Sequence, residues 1–177
     1  MNLLKSGLKF PGPFGTLNPD GLTKILNRTL RLLEPRPRFK VSDWSEAHAV
    51  IPRGDAEPGK FHCNRLPYER AMMDDAIDPA IVESIWVIAG QMGKTRCLTN
   101  IAGYFMDYDP APILVVYPTL DSAKAWAREK LTPFLEETPC LCGKVKSPRS
   151  RDAENTTLNK RFPGGNITIT GANSPSG

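Results

Sequence analysis

The 177-residue sequence predicts an α/β fold with a three-layer core, a helical N-terminal arm and a C-terminal β-hairpin. Two apolar runs of strand length, at 84–90 and 113–118, are each followed by a segment with helical periodicity. This strand–helix–strand–helix order favours parallel strands joined by right-handed crossovers. Near the C-terminus, apolar and polar residues alternate on both sides of "PGG" at 163–165, which is typical of a hairpin.

Residues 1–40 predict a basic arm, and residues 41–177 predict the α/β body. Residues 1–19 are rich in Pro and Gly, whereas apolar residues from Asp20 onward recur on one helical stripe: Leu22, Ile25, Leu26, Leu30 and Leu33. The body begins with a predicted short helix capped by Ser42. A further helix is predicted to begin near Pro67 and to end before Pro79.

Charge is distributed unevenly along the chain. Residues 1–40 hold eight Lys/Arg and two acids, residues 41–143 hold nine and fifteen, and residues 144–177 hold six and two. The net charges are therefore +6, −6 and +4. Basic ends on an acidic middle favour a polyanion partner bound at the edges, with a merely solubilising terminus as the alternative.

Other classes of protein are disfavoured by composition. No apolar stretch approaches the roughly 18 residues of a membrane span, and no secretory leader is evident. The four cysteines, at Cys63, Cys97, Cys140 and Cys142, match neither a zinc-site spacing nor a disulfide framework. We expect free thiols in a reducing cytoplasm.

The segment "IWVIAGQMGKTRCLTN" at 85–100 predicts a phosphate-binding loop between a strand and a helix. Such a loop needs glycine for close backbone approach, a lysine for the outer phosphates and a hydroxyl for Mg²⁺. Gly93, Lys94 and Thr95 supply these groups, but Ile88 stands where the usual spacing has glycine, and Gly90 comes two places later. The residues alone therefore leave an ordinary strand–turn–helix corner as the alternative.

Hydrolysis needs further groups that the sequence does not offer. No apolar strand ends in an Asp-Glu pair that could hold Mg²⁺ and orient water. Asp121 comes well after its strand and fits better, like Thr119, as a helix cap. A nucleotide bound at this loop would therefore not be hydrolysed at a useful rate.

Several longer segments resemble a known family. They are "VSDWSEAHAVI", "AEPGKF", "NRLPYERAMMD", "AGQMGKT", "YDPAPILVVYPTLDSAKAWAREKLTPFLEETP" and "FPGGNITITGANSPSG". In this order, from about Pro35 to Gly177, they resemble the lambda-type (GpA) family of phage terminase large subunits, ATP-driven motors that package and cut viral DNA. The resemblance implies a P-loop NTPase-type (RecA-like) fold, incomplete here because family members continue into Walker B acids and a nuclease domain.

The resemblance also implies roles for individual residues. Lys94 matches the catalytic Walker A lysine on the phosphates, and Thr95 matches the Mg²⁺ ligand. The loop backbone at Gly90, Gln91, Met92 and Gly93 would contact the nucleotide. Tyr68 matches an adenine-contacting segment, with a half-buried helix aromatic as the alternative. Arg96 and Arg128 are candidates for arginine fingers, but we expect both to form solvated ion pairs on a helix surface.

The implied function is Mg·ATP binding for translocation of double-stranded DNA into a prohead, in the host cytoplasm and without a membrane. The implied partners are double-stranded DNA, the small terminase subunit and the portal of the prohead. One alternative is a partner- or DNA-binding module that acts through residues 1–40, with an inert α/β body. A small P-loop kinase and a decayed fragment that does not fold stably are further alternatives.

Overall fold

The computed structural model of the protein describes residues 19–33, 39–145 and 156–173. The chain divides into two compact units, Met1–Arg38 and Phe39–Gly177. In the first unit, helix α1 spans Pro19–Leu33 and confirms the predicted arm helix. Residues 1–18 of the predicted Pro/Gly-rich segment, and most of the charged residues of 144–177, lie outside the described residues.

In the second unit, helix α2 spans Val41–His48 and helix α3 spans Tyr68–Asp74. Single 3₁₀ turns lie at Cys63–Arg65 and Asp75–Ile77, so the chain leaves its helical course before Pro79, as predicted. Between α2 and α3, strand β1 (Val50–Ile51) pairs antiparallel with strand β2 (Gly59–Lys60).

Ser42 does not cap α2, so that prediction was wrong: Lys40 occupies the N-cap position. The backbone N–H of Ser42 donates to Asp74 Oδ1 at 2.9 Å, and its hydroxyl donates to Asp74 Oδ2 at 3.0 Å. The serine therefore joins α2 to α3, because the carboxylate of α3 satisfies the donor that a cap would otherwise serve.

The larger sheet has three strands, β3 (Ile113–Tyr117), β4 (Asn159–Phe162) and β5 (Gly165–Gly171), in the order β3–β5–β4. β4 and β5 form the predicted hairpin, and β3 pairs parallel to β5 with Val115 opposite Ile169. The hairpin turns through Gly164, whose φ of +90° suits glycine.

Helices α4 (Lys94–Asp107), α5 (Leu120–Trp126) and α6 (Thr132–Glu137) complete the unit, and a π-helical turn at Ala127–Leu131 joins α5 to α6. Thr119 caps α5 as predicted, accepting from the N–H of Ser122 at 3.2 Å. The largest fully buried apolar side chains are Trp44, Phe134, Met73, Met106, Leu131 and Leu141. None of the helices in the described ranges is long and apolar enough to span a membrane.

Residues 84–90 do not form the predicted strand. Ile85 and Val87 are 77% and 94% exposed, and no described strand pairs with this segment. A strand requires a neighbour for its backbone hydrogen bonds, and apolar composition alone does not supply one. The described residues thus form a mixed α/β fold with two small sheets, and the predicted sheet that included 84–90 is not formed.

Candidate functional site

The predicted phosphate-binding loop is a tight turn that leads directly into α4. Gln91 and Gly93 both have left-handed backbones, with φ of 59° and 77°. Gly93 is the N-cap residue, and its carbonyl accepts the first helical hydrogen bond from the N–H of Cys97 at 3.0 Å. The first N–H groups of the 14-residue helix therefore point out of its N-terminus, where an anion is stabilised.

Lys94 folds back onto the loop. Its Nζ donates to the carbonyl oxygens of Ile88 at 2.9 Å and Ala89 at 2.7 Å. Both acceptors are neutral, so a phosphate oxygen, which is charged, would be the stronger acceptor. Thr95, the next residue, is exposed at the same helix end.

A cavity of about 430 Å³ opens at this helix end. It is lined by residues 91–96 and by Thr99, Asp55, Ala56 and Lys130. Its volume lies within the range of small-molecule sites, roughly 300–1,000 Å³. Three of its lining residues are cations and one is a carboxylate, so the lining carries a net charge of +2 and favours an anionic ligand.

Asp55 bridges two of these cations. Its Oδ2 pairs with the Arg96 guanidinium, and its Oδ1 accepts from Lys130 Nζ at 2.6 Å. The Asp55 and Arg96 side chains are each only 14% exposed, whereas that of Lys130 is 41% exposed. Burial lowers the pKa of Arg96, and the charge of Asp55 opposes that shift.

The expectation that Arg96 forms a solvated ion pair on the helix surface was wrong. Its side chain is enclosed between Asp55 and the ring of Phe134, whose centroid lies 5.9 Å from the guanidinium carbon. The periodicity of α4 could not reveal this, because the enclosing residues come from other parts of the chain. Arg128, by contrast, is exposed as expected.

Helix α3 supports the loop from a second side. The Tyr68 hydroxyl donates to the Met92 carbonyl at 3.1 Å, and Tyr68 is not among the residues that line the cavity. Glu69 is 3% exposed, and its Oε1 lies so close to Gly93 that a Cβ there would overlap it. Burial raises the pKa of Glu69, against the lowering effects of a hydrogen bond from the Cys97 thiol and of the Arg96 charge.

The structure therefore brings together most of the residues predicted for the site. Gln91, Met92, Gly93, Lys94 and Thr95 all line the cavity. Gly90 lies in the turn just before them, outside the lining, and a Cβ there would have no atom beyond its chain neighbours within 4 Å. Sequence reasoning missed Asp55, Glu69 and Lys130, which lie outside the loop motif and carry no local signal of their own.

The charge and chemical groups of the lining fit a nucleoside triphosphate with Mg²⁺. The loop offers backbone N–H groups, an ammonium group and a hydroxyl group at one helix end. Mg²⁺ usually keeps several waters and takes its other ligands from one or two side chains and the phosphates. Thr95 can supply such a ligand, and Asp55 is already paired with two cations.

Comparison with known proteins identifies the family. The family model described as "Phage terminase large subunit gpA, ATPase domain" matches residues 55–177. The terminase large subunit of Escherichia phage lambda is 25% identical over 135 residues, which is 76% of this chain and 21% of that protein. The terminase large subunit of Enterobacteria phage P21 is 23% identical over 142 residues, which is 80% of this chain and 22% of that protein.

No solved structure matches the chain. The chain spans about a fifth of the length of the two curated relatives that it matches. The family match, in contrast, extends over more than half of the chain and includes the loop, α4 and the larger sheet. The chain therefore belongs to the GpA family of phage terminase large subunits and matches the ATPase domain of that family.

Proposed function

We propose that this chain binds Mg·ATP at the cavity beside the N-terminus of α4, as the nucleotide-binding part of a P-loop, RecA-like ATPase. One observation carries the proposal: a cavity with a net charge of +2 lies at a helix N-terminus, and Lys94 and Thr95 both line it. Anion binding at such a helix end follows from its free N–H groups and its dipole.

Each loop residue has a distinct proposed role. The backbone N–H groups of residues 90–93 contact the phosphates, and Thr95 supplies its hydroxyl to Mg²⁺. Lys94 leaves the carbonyls of Ile88 and Ala89 and contacts the outer phosphates. The Tyr68 hydroxyl holds the Met92 carbonyl, and because Tyr68 lies outside the cavity lining, its proposed ring contact with adenine requires the base to extend beyond the cavity toward α3.

In the intact motor, we infer that ATP binding at this site serves the translocation of double-stranded DNA into a prohead in the host cytoplasm. The relatives of this chain carry the name terminase large subunit, which supports this role. The small terminase subunit and the portal of the prohead are the further proposed partners. The basic segments 1–40 and 144–177 suit contact with DNA phosphates, an attraction that carries no sequence specificity.

The test of nucleotide binding is titration calorimetry with Mg·ATP. We expect Lys94→Ala to weaken binding by at least about 10-fold, because a hydrogen bond to a charged group contributes roughly 1.5–3 kcal/mol. Lys124→Ala is the matched control, since Lys124 lies on α5 paired with Asp121 and does not line the cavity. Equal binding by wild type and Lys94→Ala, or no binding by wild type, would overturn the proposal.

A second candidate function concerns the proposed arm, residues 1–40. On α1, Ile25 and Leu26 are 61% and 57% exposed beside the exposed cations Lys24 and Arg28. Exposed apolar side chains on a basic helix suit docking on a partner protein or on DNA. Deleting residues 1–40 and measuring both ATP and DNA binding separates the two functions. The module hypothesis, with its inert body, predicts no ATP binding and complete loss of DNA binding, whereas the ATPase proposal predicts that ATP binding is retained and that DNA binding is weakened but persists through 144–177.

A further inference from the structure

We propose that Lys130 is a second phosphate-binding lysine of this site, which Asp55 holds when no nucleotide is bound and which contacts the terminal phosphate of ATP. The inference rests on the proposed function, since it assigns a further contact to the same ligand. Its experiment is designed so that it can fail while nucleotide binding stands.

Lys130 reaches the cavity from an element far from the loop in sequence. It lies in the π-helical turn at Ala127–Leu131, where the N–H of Thr132 bonds to the Ala127 carbonyl five residues back. The wider turn rotates the side chains that follow it relative to a regular helix, and such turns are frequent at functional sites. Ala127 and Leu131 are buried, whereas Lys130 lines the cavity.

The ion pairs of Asp55 leave one cation in excess. Asp55 carries one negative charge and pairs with two positive side chains, those of Arg96 and Lys130. Arg96 is the enclosed partner at 14% exposure, so separating it from Asp55 would leave a largely buried guanidinium without that partner. Lys130 is the open partner at 41% exposure, and ion pairs in contact with water contribute little.

A phosphate oxygen can therefore take Lys130 from Asp55 at small cost. Asp55 remains paired with Arg96, so no charge is stranded when Lys130 leaves. A lysine that is already ordered beside the cavity also loses less side-chain entropy on binding than a free one.

The terminal phosphate is the expected contact for a geometric reason. The inner phosphates are expected at the loop N–H groups, which lie at the N-terminus of α4. The terminal phosphate extends from there into the cavity, toward walls that other elements supply. Lys130 is the cation that such a wall contributes from outside the loop and its helix, among the residues that line the cavity.

The experiment measures the dissociation constants of Mg·ATP and Mg·ADP by calorimetry for wild type, Lys130→Gln, Lys130→Arg and the control Lys124→Gln. We expect Lys130→Gln to weaken ATP binding about 10-fold and ADP binding less than about 3-fold, as for loss of one charge-assisted hydrogen bond. Lys130→Arg keeps the charge and should restore most of the ATP affinity. Lys124→Gln removes one positive charge from the same helical region and should leave both constants unchanged.

Each other outcome overturns the inference in a distinguishable way. Wild-type affinity of Lys130→Gln for ATP would show that Lys130 only anchors the loop around Asp55, and the proposed nucleotide site would stand. Equal losses for ATP and ADP would exclude the terminal phosphate as the contact. Absence of ATP binding by wild type would remove the proposed function and this inference together. Circular dichroism of each variant checks that the fold is retained. We expect the fold to be retained because the Lys130 side chain is 41% exposed.

Discussion

Gly93 is the residue of the loop whose substitution the structure constrains most strongly. Two independent features require glycine there: a backbone φ of +77°, and the carboxylate of Glu69, whose Oε1 a Cβ would overlap. Gly90, three residues earlier, has neither feature, since nothing lies within 4 Å of the position of its Cβ. The sequence motif gives no reason to distinguish the two glycines. Comparing Gly93→Ala with Gly90→Ala therefore tests the surroundings that the structure assigns to each of them.

The magnitude follows from these two terms. A left-handed backbone costs a residue with a Cβ roughly 1–2 kcal/mol. Displacing a carboxylate that is 3% exposed resembles overpacking of a core, which costs about 1–3 kcal/mol. We expect Gly93→Ala to lower the free energy of unfolding by roughly 2–5 kcal/mol, the sum of the two. Gly90→Ala should stay within about 0.5 kcal/mol of wild type, as for ordinary surface changes.

The assay is urea unfolding followed by tryptophan fluorescence, on wild type and both alanine variants. Repeating the Gly93→Ala substitution in a Glu69→Ala protein distinguishes the backbone cost from the overlap cost, because Glu69→Ala removes the overlap and leaves the backbone strain. In that background Gly93→Ala should cost only about 1–2 kcal/mol. Equal stability of Gly93→Ala and Gly90→Ala would refute both the overlap with Glu69 and the cost of the left-handed backbone. An unchanged cost of Gly93→Ala in the Glu69→Ala background would refute the overlap while retaining the backbone term.

Two further predictions concern buried titratable groups. Burial lowers the pKa of Lys160, so Lys160→Met should raise the free energy of unfolding at pH 7 by about 1 kcal/mol. The unfolded chain holds that proton more tightly than the folded one, so the gain should shrink as pH rises toward the ordinary lysine pKa of about 10.4, and a gain that persists above it would contradict this cause. Burial raises the pKa of the Cys63 thiol to about 11 and that of the Cys97 thiol to about 12. A thiol reagent at pH 8 should therefore modify the exposed Cys142 first, and peptide mapping of the labelled protein can establish the order. Faster labelling of Cys97 would contradict its buried contact with Glu69.

Much of the secondary structure could be predicted because its signals are local. The helical stripes of α1 and α4, the Thr119 cap of α5 and the hairpin around Gly164 each depend on residues within a few positions of one another. The loop residues Gly93, Lys94 and Thr95 were identifiable for the same reason. The specific order of longer segments indicated the family, and the family match confirmed it.

Pairing and burial could not be predicted in this way. The run at 84–90 has the composition of a strand, but whether it pairs depends on an available edge elsewhere in the fold. Ser42 has the chemistry of a helix cap, but Asp74 of α3 takes its donors. The helical pattern of α4 predicts a surface position for Arg96, but Asp55 and Phe134 enclose its side chain.

The sequence by itself determined the family, the order of most of the helices and strands, and the chemical groups of the loop. Only the tertiary structure decided what surrounds the loop: the Glu69 carboxylate against Gly93, and Asp55 between Arg96 and Lys130. Periodicity and capping reflect forces between near neighbours on the chain. The groups that tune the site come from segments up to 75 positions apart, and they meet only because packing of the core closes those long loops.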